Sequence, residues 1–181
     1  MPVKPTKEDM LDAVNRTVDD LIAPGLKVLF CGINPGLYSG ATGLHFARPG
    51  NRFWKVLHQS GFTKRLLDPS EEGELLNAGY GITCFVSRTT ARADELGKEE
   101  FIEGGEILLS KLETYKPTML AVVGIGAYRT AFQRPKAKIG PQEETFGPTR
   151  FWLLPNPSGL NANYQLDDLV MLFRELRQAV E

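Results

Sequence analysis

Cysteine and histidine are scarce in this 181-residue chain, with two of each. Two cysteines cannot make a disulfide framework, and His45 and His58 do not join Cys31 and Cys84 at zinc-ligand spacing. Both cysteines lie in apolar, strand-like runs, which suits a reducing cytoplasm. No apolar run approaches the length of a membrane span, and the amino terminus lacks a signal-peptide pattern, so no membrane partner is expected. An excess of one charge is missing too. Twenty-one Lys and Arg oppose 22 Asp and Glu, for a net charge of −1. A polyanionic partner must therefore be met by a local patch rather than by the whole surface. No internal repeat and no linker interrupts the chain. The length and an ordinary apolar fraction of 42% suffice for one α/β domain with a substantial core.

Glycine and proline punctuate what is there. Thr6 is placed to cap a helix from Lys7 to Ile22, where Met10, Leu11, Val14, Val18, Leu21 and Ile22 follow helical spacing. Ala23-Pro24-Gly25 ends it. Four apolar runs read as strands: Leu26 to Cys31, Ile82 to Val86, Met119 to Val123 and Phe151 to Leu154. Between them, Asn51 caps a helix Arg52 to Ser60, and Ser70 a short one, Glu71 to Asn77. Lys98 to Tyr115 is a long helix stopped by Pro117, and Ala127 to Phe132 a short one. Pro135 to Pro148 reads as irregular, and Leu166 to Val180 as a closing amphipathic helix. Alternating strands and helices predict an α/β fold around a mainly parallel, four-stranded sheet. Residues 1–22 form an amino-terminal helical extension and 23–181 a single domain.

Three strand-end loops are unusual, and ligands of α/β folds sit at such ends. The first strand stops at Cys31-Gly32-Ile33-Asn34-Pro35-Gly36-Leu37, which places Asn34 in the mouth, although Asn-Pro-Gly is also turn chemistry. The long loop after it carries His45, Phe46 and Arg48. Phe46 is either a stacking platform or an anchor of the loop to the core. The second strand ends in an arginine-bearing loop with Asp94, and the fourth in Pro155-Asn156-Pro157-Ser158-Gly159-Leu160. Gly124-Ile125-Gly126 follows a strand as a dinucleotide fingerprint does, but Arg129 takes the third glycine position, so it reads as a tight turn. A thiol hydrolase using Cys84 with His45 or His58 lacks any residue that orders a triad.

The turns at Asn34 and Asn156, with Phe46, the run Asn51-Arg52-Phe53-Trp54-Lys55, Ala23-Pro24-Gly25-Leu26 and Gly104-Gly105, resemble those of the mismatch-specific uracil-DNA glycosylases. That family belongs to the uracil-DNA glycosylase superfamily, with thymine-DNA glycosylase, and the resemblance runs from Ile22 to Val180. It implies a three-layer sandwich and a monofunctional base-excision enzyme. Such an enzyme flips mispaired uracil from double-stranded DNA and hydrolyses its N-glycosidic bond, without metal or cofactor. A monomer in the bacterial cytoplasm, associated with the nucleoid through DNA, is the implied setting. Asn34 would hold the attacking water. Ile33, Gly36, Phe46 and Asn156 would line the base pocket, and Leu160 would wedge into the vacated stack. Ser158, Gly159 and Asn161 would approach the DNA backbone.

Departures matter as well. The true uracil-DNA glycosylases carry an Asp, an aromatic and a His where this chain has Asn34, Gly36 and Asn156. Slow chemistry follows, with room for 5-substituted uracils or ethenocytosine. Ala162 stands where bacterial members usually carry an Arg. Asp94 is a candidate general base or oxocarbenium stabiliser, or else a cap or surface ion pair. Arg48, Arg52, Lys55, Arg88 and Arg92 would supply phosphate contacts and a modest salt dependence. A non-catalytic lesion binder of the same fold, or a nucleotide-binding α/β domain, are the competing readings.

Overall fold

The computed structural model describes residues 3–181. Its elements are α1 (Lys7–Asp12), β1 (Val28–Gly32), α2 (Leu37–Thr42), α3 (Phe53–Gln59), α4 (Gly73–Ala78), β2 (Tyr80–Cys84) and α5 (Lys98–Tyr115). They continue as β3 (Met119–Val123), α6 (Ile125–Ala131), β4 (Gly140–Phe146), β5 (Thr149–Leu154) and α7 (Leu166–Val180). One sheet runs in the order β2-β1-β3-β5-β4, parallel except for the β4–β5 pair. Every residue of β1 and β3 is buried, as expected of parallel strands covered on both faces. One apolar cluster joins the sheet to α3, α4 and α7, and a second joins it to α5 and α6, giving an α/β sandwich of three layers. Gly104 lets α5 approach closely, because a Cβ there would collide with the Phe85 carbonyl beyond β2.

The sheet has five strands rather than four. The additional β4 lies in the stretch read as irregular. Its Pro141, its glutamates and a register shift before Thr145 all weaken a strand signal. An edge strand tolerates them, since only one side must pair, and its residues alternate between shielded and exposed.

The helix predicted from Lys7 to Ile22 stops at Asp12. Thr6 caps it with a reciprocal capping box. Asn15 then adopts a φ of 66°, and the chain turns extended along β2. Leu21 and Ile82 exchange backbone hydrogen bonds at 2.9 and 2.8 Å, and Asn15 and Arg16 bond to Thr89. The edge of β2 is thereby covered. Ion pairing fixes the segment: Lys111 binds Asp20 at 2.6 Å, and Thr83 donates to Asp20 at 2.8 Å. Within the loop read from Leu37 to Asn51 lies the short helix α2, against which α1 rests. Asp68, not Ser70, caps the turn before α4.

Candidate active site

All four parallel strands point their carboxyl ends to one edge of the sheet. Beyond β1 and β2 the two chains keep pairing. Phe85 N–H donates to Gly32 O at 3.0 Å, Val86 N–H to Ile33 O at 3.1 Å and Thr90 N–H to Pro35 O at 3.2 Å. This rail lays Arg88–Thr90 alongside Asn34–Gly36, although more than fifty residues separate them in sequence.

The rail determines the pose of Asn34. Its Nδ2 donates to the Arg88 carbonyl at 3.0 Å and to Thr90 Oγ1 at 2.8 Å. The Thr90 hydroxyl, buried, gives its own proton to Arg92 O at 2.7 Å, so it can only accept from Asn34. Both neighbours of Nδ2 are acceptors, and a flipped amide would set oxygen against oxygen. Asn34 Oδ1 is thus left over as an oriented acceptor. Asn34 belongs to the lining of a cavity of about 820 Å³.

Ile33, Gly36, Phe46, Arg48, Asn156, Ser158, Leu160 and Asp94 line the same cavity. Phe46 is the anchor of its loop and also a lining residue of the cavity. It holds a φ of 50° and stacks on Phe53 with ring centroids 4.0 Å apart, which anchors the loop, and its ring lines the cavity. The loop is fastened further by Trp54 Nε1, which donates to His45 O at 3.1 Å, and by Glu72, which accepts from His45 N–H at 3.0 Å. Asn156 Oδ1 accepts from Ser158 N–H at 2.9 Å, so the amide is oriented by its own loop. Leu160 stands at the rim with 77% of its surface exposed.

A model of the Uracil DNA glycosylase superfamily matches residues 20–180. The chain belongs to the uracil DNA glycosylase superfamily. Members of this superfamily are DNA glycosylases that act on uracil-type lesions, and the match spans every site residue named so far. Lys4, Pro5 and Met10, which also border the cavity, lie outside the matched span.

Two of the candidate DNA contacts are spent inside the protein. Arg52, predicted to meet phosphate, instead holds four backbone carbonyls: Pro157, Ser158, Asn161 and Tyr164. Its planar fork matches acceptors gathered by a loop, which sequence alone does not display. Arg88 binds Glu100 with two hydrogen bonds, at 3.1 and 2.9 Å. Exposed Arg48 borders the cavity, and Lys55 is exposed on α3. Asp94 sits in a turn, Ala93–Glu95, at the cavity rim. Its carboxylate is 74% exposed and bonds Arg92 at 3.0 Å, the surface ion pair of its alternative reading. Asn161 Nδ2 donates to Asn156 O at 3.1 Å within its own loop.

Cys84, whose position in the cavity went unforeseen, lies beside Gly32 and Phe46. Burial pushes its thiol up to about 12, so it is a neutral wall rather than a nucleophile. His45 Nε2 lies 2.8 Å from the Asp19 carbonyl and so must donate to it. His58, the other candidate partner, sits 3.3 Å by Nδ1 from the Thr63 carbonyl and is not a lining residue of the cavity, so with the thiol protonated neither pairing supplies a nucleophile. Thr90 was also missed as a site residue. Its only trace in the sequence is its place in a polar strand-end loop. Among the described residues, no three His, Cys, Asp or Glu side chains are grouped to hold a metal.

Proposed function

We propose that this chain flips a mispaired uracil out of duplex DNA and hydrolyses its N-glycosidic bond, leaving an abasic site. The observation that carries this reading is the locked amide of Asn34, whose Oδ1 is the oriented acceptor in a cavity bordered by an aromatic ring and an exposed leucine. The flipped base stacks on Phe46 while Leu160 fills the gap it leaves. As the C1′–N1 bond breaks, its electron pair passes to N1 of uracil and positive charge develops on the sugar. The Asn156 Nδ2 donor favours the departing anion. A water held on Asn34 Oδ1 adds to C1′ and gives a proton to solvent, the uracil anion takes one up, and so one water is consumed and neutral free base departs.

An amide orients water well but is a poor base. The chemistry is therefore slow and favours bases that are mispaired or leave readily. A Cβ built on Gly36 meets nothing within 4 Å, so the pocket has room beside this residue. That room supports 5-substituted uracils and ethenocytosine as further substrates. One copy of the chain acts on the duplex, in a bacterial cytoplasm where its free thiols stay reduced.

Single-turnover base release tests the reading. The panel holds uracil opposite guanine, uracil opposite adenine, single-stranded uracil, ethenocytosine opposite guanine and thymine opposite guanine. Release from U·G that collapses in Asn34→Ala is the expected result. Tight binding of the U·G duplex with no release from any substrate would replace this reading with that of a lesion binder.

A further inference from the structure

We propose that Arg52 is the positioning residue of the wedge: it holds the Leu160 loop in the pose that opens DNA, and it touches no phosphate. The inference rests on the glycosylase reading above for the identity of its substrate.

The loop from Asn156 to Gln165 contains neither helix nor strand, so no regular ladder gives it a shape. Bonds within the loop, such as Asn161 N–H to Ser158 O at 3.0 Å and Leu160 N–H to Ser158 Oγ at 3.2 Å, form its turns, and Arg52 fastens those turns to α3. The backbone N–H of Arg52 donates to Pro157 O at 3.0 Å, and Nε to the same carbonyl at 3.2 Å. Nη1 donates to Tyr164 O at 2.6 Å, and Nη2 to Ser158 O at 2.7 Å and Asn161 O at 3.2 Å. One rigid cation thereby gathers carbonyls from both sides of Leu160. Four converging carbonyl dipoles would repel one another without it, and a lysine ammonium could not span them. A second contact adds to this: Gly159 lies so near Gly50 that a Cβ would come to 2.6 Å from the Gly50 carbonyl.

An apolar tip displaces a stacked base only if it does not yield. A leucine on a slack loop would fold back rather than enter the duplex, because ordering the loop would have to be supplied at the moment of flipping. Arg52 supplies it beforehand. Its neighbours connect the wedge to the pocket. Asn51 Oδ1 accepts from Phe53 N–H at 2.9 Å and so starts α3, while Phe53 lies beneath Phe46. Residues 51–53 thus tie the tip that pushes to the surface that receives.

The test uses a duplex in which 2′-fluorouridine, which resists cleavage, pairs with guanine beside a 2-aminopurine. The fluorescence rise reports flipping without chemistry. Arg52→Lys and Gly159→Ala are both expected to slow that rise about tenfold or more, as misplacement of a positioned group does. Gly159→Ala disturbs the loop through a separate, exposed contact, so the inference remains testable if Arg52→Lys does not fold. Combining Arg52→Lys with Leu160→Ala is expected to cost no more than the worse single change. The slope of log K against log salt should be unaltered in Arg52→Gln, which removes the cation. A slope reduced by about 0.9 with flipping intact would make Arg52 a phosphate contact and overturn the inference. Unchanged flipping in both Arg52→Lys and Gly159→Ala would overturn it as well. Wild-type flipping without base release from the cleavable panel would instead refute the glycosylase reading and leave the wedge assignment standing.

Discussion

Replacing Thr90 by valine removes one hydroxyl from a buried position while keeping the side chain's shape, and the orientation of Asn34 is expected to suffer. In the wild type, Nδ2 has two acceptors, Thr90 Oγ1 at 2.8 Å and the Arg88 carbonyl at 3.0 Å. Flipping the amide forfeits both and brings Oδ1 against the Arg88 oxygen. In Thr90→Val only the Arg88 bond still resists the flip. A net hydrogen bond of this kind contributes about 1 kcal/mol, which corresponds to roughly a fivefold change in population or rate. The unpaired amide hydrogen adds to that cost, so single-turnover release from U·G should fall about fivefold to twentyfold. Binding to an uncleavable duplex should hold, since Thr90 is buried and valine keeps its size. Thr90→Ser retains the hydroxyl and should stay within about twofold of wild type, a difference of less than half a kcal/mol. The assay is single-turnover release at saturating enzyme, with thermal melting beside it. The lost bond should lower the Tm by about 2–4 °C. A Thr90→Val enzyme as fast as wild type would refute the reasoning. So would a Thr90→Ser enzyme as slow as Thr90→Val.

Gly36→Tyr should fold normally, because the backbone there has a φ of −80° and a Cβ meets no neighbour. Its ring should lower the kcat/KM for ethenocytosine relative to uracil by about tenfold or more, and equal losses on both would show that Gly36 does not gate the pocket. Asp94→Asn should change base release by no more than about twofold, since an exposed ion pair contributes little; a larger loss in the U·G assay would restore the carboxylate as a base. Stability should fall in alkali. Burial raises the thiol of Cys31 well above its ordinary value and that of Cys84 to about 12, so the folded chain keeps protons that the unfolded chain releases near its thiol pKa of about 8.5. That contribution is complete below the unfolded value and is lost as pH rises toward 12. Urea midpoints at pH 8 and pH 10.5 should therefore diverge less in Cys31→Ala/Cys84→Ala than in wild type, and an identical divergence would exclude the thiols as its source.

Local chemistry alone determined a good part of this protein. The limits of α5, β3 and α7 were legible because a sustained apolar period, or a proline such as Pro117, acts on its own neighbours in sequence. Asn34, Phe46, Asn156 and Leu160 stood out as residues of strand-end loops, their roles came from the resemblance to the glycosylases, and the fold gathers them with Gly36 around one cavity. Tertiary structure decided what depends on a distant partner. The apolar residues of 13–22 suited a helix equally well until β2 offered an edge to cover. The charged, proline-bearing β4 became a strand only because β5 lies beside it. A six-residue helix such as α2, without a side-chain cap, has too few internal bonds to declare itself, and α1 supports it from outside. Charge shows the same division at the site. The sign of Arg52, Arg88 and Asp94 is written in the sequence, but their partners are not. Four carbonyls, Glu100 and Arg92 claim them in the fold, and the hydroxyl that aims Asn34 comes from 56 residues away. A hydrogen bond is made where atoms meet, and only the closed sheet brings the ends of β1 and β2 together.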